Sequence, residues 1–235
     1  MPSRVPTTDR RRLVTMRLAA QGIAGTRRRT PGDVVHSMLA MQGQDFPGAR
    51  WSIGLRGRVT DDEVGAAFDA GAIVRSWPMR GTLHVVAAED VGWMLQLMAP
   101  RVVAATATRR SQLGITAEDL ERARDAAVSA LEGNRALTRE ALLSALAATG
   151  IVVDAQRGYH FLGYLAQTGV IVLGPVAGRQ QAFALLETWV RAPRRLERDE
   201  ALGELARRYF RSHGPAAERD LARWSGLPLG DVRRG

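Results

Sequence analysis

Residues 73–86 read IVRSWPMRGTLHVV, and this stretch decides the fold. Its apolar residues recur at a period of two on both sides of Pro78-Met79-Arg80. That spacing predicts two strands, Ile73 to Trp77 and Gly81 to Val86, joined by a turn. Upstream the period is helical. Thr8 or Asp9 caps a first helix with Leu13, Met16, Leu18 and Ala20 on its apolar stripe, ending near Gly22. Pro31 opens a second helix through Val34, Val35, Met38 and Leu39, which Gly43 stops. Thr60-x-x-Glu63 is a capping-box pattern for a third, closing at Gly71. Three helices and then a hairpin is the order of a winged helix.

The order repeats downstream in weaker form. Ala88 to Met98 and Arg101 to Leu113 read as connecting helices on either side of Pro100. Thr116 and Thr138 cap two further helices, and a third spans about Ala155 to Thr168. Val170 to Leu173 and Gln181 to Leu186 then flank a turn-rich tip that carries Arg179. Residues 191–200, RAPRRLERDE, form a polar link. Ala201 to His213, Glu218 to Trp224 and Leu229 to Arg234 read as a helix, a second helix and the opening of the next around tight turns, a helix-turn-helix order without strands. The expected fold is mainly α with small β-hairpin wings. Its units are residues 1–112, 113–195 and an incomplete 196–235, whose apolar positions are expected to pack on the second unit or on a segment beyond this chain.

Charge bears on the partner. The chain has 235 residues, 33 basic and 24 acidic, and every basic one is arginine. Residues 1–60 hold 11 arginines against Asp9, Asp33 and Asp45, so nearly all of the net +9 lies in the first quarter. A one-sided basic excess marks a polyanion binder, nucleic acid first. A GC-rich genome explains arginine over lysine but not the scarcity of acids there. Arg10, Arg11, Arg12, Arg27, Arg28, Arg29 and Arg50, with Arg179 at the second wing tip, are the candidate DNA-contacting residues. There is no cysteine, which excludes disulfides, zinc ribbons and thiolate nucleophiles. No apolar run approaches the roughly 20 residues of a membrane span, and the basic N-terminus has no apolar region behind it. A cytoplasmic, nucleoid-associated location is the expectation.

His36, His84, His160 and His213 are too widely spaced for a metal motif, and phosphate-loop, dinucleotide and nucleophile-elbow patterns are missing. No metal and no cofactor are expected. In residues 41–51, MQGQDFPGARW, Gln42 extends the Val35, Leu39 row and Gly43 frees the backbone. If residues 42–44 are extended, Gln42 and Gln44 project to one side. Two carboxamides can then hold a water and face a developing cation, with Asp45 next door. The plainer reading is a helix end followed by an ordinary turn. On a strand, Arg80, Thr82 and His84 share a face that either orients a substrate or meets DNA backbone and solvent. Trp51 and Trp77 either stack on an extruded base or fill core.

Four blocks, MLAMQGQDFPGARWSIGLR, IVRSWPMRGTLHVV, LETWVRAPRRL and ARRYFRSHGPAAERDLARWSGL, resemble the AlkZ-type winged-helix DNA glycosylases, in family order and across essentially the whole chain. The resemblance implies tandem winged-helix domains in a C-shape around double-stranded DNA. It implies excision of N7-alkylated purines, including bulky adducts and interstrand crosslinks. Gln42 and Gln44 match the family's Gln-x-Gln signature, with Gly43 where an aliphatic or small residue is usual; Asp45, Arg80, Thr82 and His84 are supporting candidates. An N7-alkylguanine is cationic and already a good leaving group, so stabilising the sugar cation and delivering water suffice. Without lysine the enzyme is expected to be monofunctional, and it is expected to act as a monomer. The competing reading is a winged-helix regulator without catalysis, because fold alone does not fix function.

Overall fold

The hairpin at residues 73–86 lies in the middle of a sheet. The computed structural model describes residues 7–25, 30–133, 135–178 and 180–235, so Arg27, Arg28, Arg29 and Arg179 lie outside the described residues. The elements before the hairpin are α1 (Thr7–Ala20), α2 (Pro31–Met38), β1 (Ala40–Gln42), α3 (Phe46–Gly57) and α4 (Asp61–Asp69). The hairpin itself is β2 (Ile73–Met79) and β3 (Thr82–Ala87). There follow α5 (Ala88–Ala105), α6 (Ala107–Gln112), α7 (Ala117–Leu131), α8 (Arg139–Ala147) and α9 (Ala155–Gln167). The second hairpin is β4 (Ile171–Ala177) and β5 (Gln180–Leu185), and α10 (Leu186–Trp189), α11 (Arg198–His213), α12 (Glu218–Ser225) and α13 (Leu229–Arg234) close the chain.

Both hairpins belong to one antiparallel sheet of order β1-β3-β2-β4-β5, joined where Arg75 pairs with Leu173. Alternation along the strands separates its faces. Ala40, Val74, Val86 and Val172 pack with α5 and α11, whereas Met41, Ile73 and Val85 pack with α2, α3 and α4. Trp77, Ile171, Leu173 and Phe183 meet the helices α7 to α9. The caps at Thr60 and Thr116 are both reciprocal boxes, with Glu63 and Asp119 answering the threonines.

Several elements differ from the sequence expectation. The second helix stops at Met38, not at Gly43. Leu39 takes a left-handed φ of 68° with its side chain fully buried, and the chain turns at once into β1. Gln42 is therefore a strand residue and not part of a helical row. The segment expected as a turn at Asp45-Phe46-Pro47-Gly48 opens α3 instead. Proline is tolerated in a first helical turn, where its missing N–H has no intrahelical partner. Pro100 does not break α5 either. An interior proline costs about 3 kcal/mol, but burying Val91, Met94, Leu95 and Met98 contributes roughly 1.5–3 kcal/mol each. On α1, Met16 and Leu18 of the expected apolar stripe are exposed.

Residues 201–235 contain no strand, and they dock on the first unit rather than the second. Leu202, Leu205 and Tyr209 of α11 pack in one core with Trp93, Met94 and Met98 of α5. A charged cluster fixes this docking. Asp90, with no exposure, accepts hydrogen bonds from Trp93 Nε1 at 2.8 Å, Arg194 Nη1 at 2.8 Å and Arg208 Nη1 at 2.6 Å. Arg208 also donates to the His36 carbonyl in α2, and Arg194 reaches Glu204 at 3.1 Å. The polar link is thereby pinned, its Arg194 N–H donating to the Glu89 carbonyl at 2.8 Å. Removing one side of a buried ion cluster leaves charge uncompensated. Asp90→Ala is expected to lower the unfolding free energy by about 3–5 kcal/mol, read from the urea transition; a change within experimental error would show that apolar packing alone docks α11.

Candidate functional site

Gln42 and Gln44 lie at the free edge of the sheet, where β1 runs out towards α3. Gln42 Nε2 donates to Gln44 Oε1 at 3.0 Å, and both side chains are exposed. The strand ends at Gln42 and the chain bends at Gln44, so it is their mutual hydrogen bond that brings the two carboxamides to one side, and it leaves the Gln42 carbonyl and the Gln44 amide N–H groups without another partner among the described residues. An acceptor and a donor a few ångströms apart can grip one water. Gly43 between them is buried and held, not loose: its N–H donates to the Leu83 carbonyl at 2.8 Å. A Cβ there would stand 3.1 Å and 3.2 Å from the Arg75 side chain and 3.2 Å from the His84 backbone. A larger residue there would require the Arg75 stem or the His84 backbone to give by a few tenths of an ångström.

Register carries the row inward. Gln42 pairs with His84, and His84 with Ser76, so the three share a face. His84 was expected to face outward or into a cleft, yet it is only 2% exposed. Val85 fills the opposite face, and β1 covers the edge on which His84 would otherwise lie open. Its Nδ1–H donates to the Thr82 carbonyl at 2.9 Å, which leaves Nε2 as an acceptor 3.5 Å from Arg80 Nη2. Burial pushes the His84 pKa down to about 4, so the ring is neutral near pH 7. Arg80 itself is exposed in the hairpin turn at φ 55°.

Asp45 sits at the start of α3, exposed, with its Oδ2 leaning over Gly48. Arg50 is not a free cation. Its Nε donates to Asp61 Oδ1 at 2.6 Å and its Nη2 to the Asp61 carbonyl at 2.8 Å. Arg10, Arg11 and Arg12 are exposed on α1. Trp77 is core at 5% exposure, whereas Trp51 is 69% exposed. Trp51 lines a cleft of about 870 Å³ with Phe46, Pro47, Leu55 and Gly178. Sequence reading overlooked Arg75, although a lone charge inside the apolar run IVRSWPM was its signal. His36, Glu89 and Asp90 come close enough to offer ligands to one ion. Both Asp90 oxygens already serve arginines, so a metal would have to displace two guanidinium groups.

Residues 35–235 match the family model described as DNA glycosylase AlkZ-like. The chain belongs to that family of DNA glycosylases. It is 26% identical over 228 residues to an interstrand DNA cross-link repair glycosylase of Streptomyces sahachiroi, an alignment spanning 92% of this chain and 60% of that protein. The solved Streptomyces sahachiroi DNA glycosylase AlkZ superposes with a TM-score of 0.79 at 24% identity, covering 95% of this chain and 63% of the other. The chain thus spans somewhat under two thirds of the length of these relatives. The superposition shows a shared fold: mostly helical, with a small antiparallel sheet of five strands.

His84 gives a pH test of the site's core. Its folded pKa, about 4, lies below the ordinary 6.5, so between those values the unfolded chain binds more protons. Stability is therefore expected to fall as pH drops through that window. His84→Asn keeps a donor for the Thr82 carbonyl and is expected to flatten the slope. Burial lowers the pKa of His160 and His213 too, so the readout is wild type against variant. Equal slopes in urea unfolding at about pH 7 and about pH 5 would show that His84 opens to water in the folded protein.

Proposed function

We propose that this chain is a DNA repair N-glycosylase that hydrolyses the glycosidic bond of N7-alkylated purines, bulky adducts and interstrand crosslinks among them. The observation that carries the reading is the hydrogen-bonded Gln42–Gln44 pair, exposed at the sheet edge in a chain of the AlkZ-like family. The interstrand cross-link repair activity of the Streptomyces relative supports crosslinks as part of the substrate range. The units 1–112 and 113–195 are read as tandem winged-helix domains, with 196–235 the start of a third, incomplete one, forming a C-shaped groove for double-stranded DNA. An open groove suits lesions too large to be flipped into a pocket.

In the proposed reaction the alkylated base departs as a neutral leaving group, because N7 substitution has already placed positive charge on it. The Gln42 carbonyl faces the sugar as it becomes an oxocarbenium ion. A water gripped by Gln44 adds to the anomeric carbon and loses its proton to solvent. Carboxamides stabilise a cation only modestly, so undamaged bases, which leave poorly, are spared. Neutral His84 backs Gln42 without adding positive charge near the sugar. The product is an abasic site with an uncut strand, since lyase chemistry through a lysine imine has no lysine here. No metal or nucleotide cofactor has a part in this scheme. Monomeric action in the cytoplasm, on the nucleoid, completes the reading; among the described residues no helix is long and apolar enough to cross a membrane.

Gln44→Ala is expected to lose excision of N7-methylguanine from duplex DNA by roughly 10²- to 10³-fold, the scale of one lost transition-state contact, with binding retained. Asp45→Asn is expected to keep most activity, because the Asp45 carboxylate leans over Gly48 and makes no hydrogen bond to the glutamine pair among the described residues. A dead Asp45→Asn beside an active Gln44→Ala would move the chemistry to the carboxylate. Full activity in both would place the catalysis on other residues, and a wild-type protein that binds duplex DNA without excising would support the competing reading of a DNA-binding protein without catalysis.

A further inference from the structure

Arg75 carries a charge that nothing among the described residues neutralises. Six other arginines are buried or half-buried: Arg50, Arg56, Arg110, Arg157, Arg194 and Arg208. Each donates at least one hydrogen bond. Arg75 donates none, and its Nε and Nη1 are sealed from water without a partner. Burial lowers its pKa to about 10, so the guanidinium is still charged at neutral pH.

Its position is informative. The stem runs past Gly43, with Cδ and Cγ 3.1 Å and 3.2 Å from where a Cβ would lie. The guanidinium carbon stands 4.9 Å from the Phe46 ring centroid. The cation is thus lodged against both ends of the segment 43–46, which carries Gln44 and Asp45. Asp45 forms no ion pair with it, and leans over Gly48 instead. The Phe46 ring is an incomplete substitute for a counterion, since it satisfies none of the N–H donors. A half-buried cation with unmade donors, packed on the segment that carries Gln44 though on the strand face opposite Gln42, is a site waiting for an anion.

We propose that Arg75 receives a phosphodiester oxygen of the strand bearing the damaged nucleotide, next to the segment 43–46 that follows Gln42 and carries Gln44. The proposal rests on the DNA glycosylase reading and adds to it the contact that registers the lesion. Forming the contact requires the side chain to turn its sealed N–H groups outward, past Gly43, where no side chain stands in the way. Arg75 is a positioning residue: it holds the sugar's own backbone and does not touch the reacting atoms.

The probe is a duplex with one tetrahydrofuran abasic analogue and single methylphosphonates walked across the flanking phosphates. Wild-type protein is expected to lose affinity, on the order of tenfold, at one flanking phosphate. Arg75→Met, which keeps the stem on Gly43 and Phe46, is expected to be insensitive there. Its slope of log affinity against log salt should be shallower by about one. Arg75→Lys should keep most of the wild-type slope, and the melting temperature of Arg75→Met should be unchanged or higher. An unchanged slope in Arg75→Met, or a fall of several degrees in melting temperature with normal binding, would make Arg75 a structural cation and overturn the proposal. Should Arg75→Met fail to fold, Arg75→Gln takes its place; a wild-type walk with no sensitive phosphate overturns it without any variant. Gln44→Ala, assayed on a matching duplex that carries N7-methylguanine in place of the abasic analogue, separates the two readings. Retained excision there defeats the glutamine mechanism, while the salt slope of Arg75→Met still decides the phosphate contact.

Discussion

Asp90 sets the arrangement on which the other parts depend. A carboxylate with no access to water must have its charge answered at short range, and Arg194 and Arg208 answer it from two later parts of the chain. Arg208 comes from α11 and Arg194 from the link before it, so one buried anion fixes where both lie against α5. Apolar contact between α5 and α11 is tolerant of sliding by a turn; directed bonds to one carboxylate are not. The same cluster touches the end of α2 through the His36 carbonyl. From there Leu39 turns the chain into β1, and β1 delivers the glutamine pair to the sheet edge. The site's position is inherited from an ionic contact well behind it.

The sheet supplies the second constraint. β2 pairs with β3 on one side and with β4 on the other, so the two hairpins share a strand ladder at Arg75. Hairpins that merely flank each other can move apart, whereas these two transmit force through backbone hydrogen bonds. The two helical units are thereby held in register with each other, and the glutamine pair is placed relative to both.

Much of this was legible in the sequence, for identifiable reasons. The 73–86 hairpin announced itself through two short apolar runs on either side of Pro78-Met79-Arg80, and the box at Thr60 through two residues three apart. The α3 helix was hidden because Pro47 and Gly48 are turn formers in isolation and only burial of Phe46, Ala49 and Ile53 recruits them. The break at Leu39 was hidden because a buried leucine at positive φ has no local signal. Gln42 and Gln44 could be singled out from spacing and family pattern, but their hydrogen bond required β1, which continued a helical pattern. The union of the hairpins was beyond reach, since a ladder joining residues 75 and 173 is decided by tertiary packing. Arg50 misled for a related reason: its partner Asp61 is eleven residues away on another helix.

Gly43 and Arg75 occupy a single volume between them. The space that a side chain at residue 43 would need is filled by the methylene groups of residue 75, and the His84 backbone closes the other wall. The two positions are therefore not free to drift separately. A lineage that enlarges residue 43 must shorten residue 75 or push it off Phe46, and one that shortens residue 75 opens a void that a larger residue 43 would fill. Exchange of size between a motif's middle residue and a neighbouring strand is a pairing that comparison of related chains can recognise, as a swap of bulk rather than as preservation of either residue.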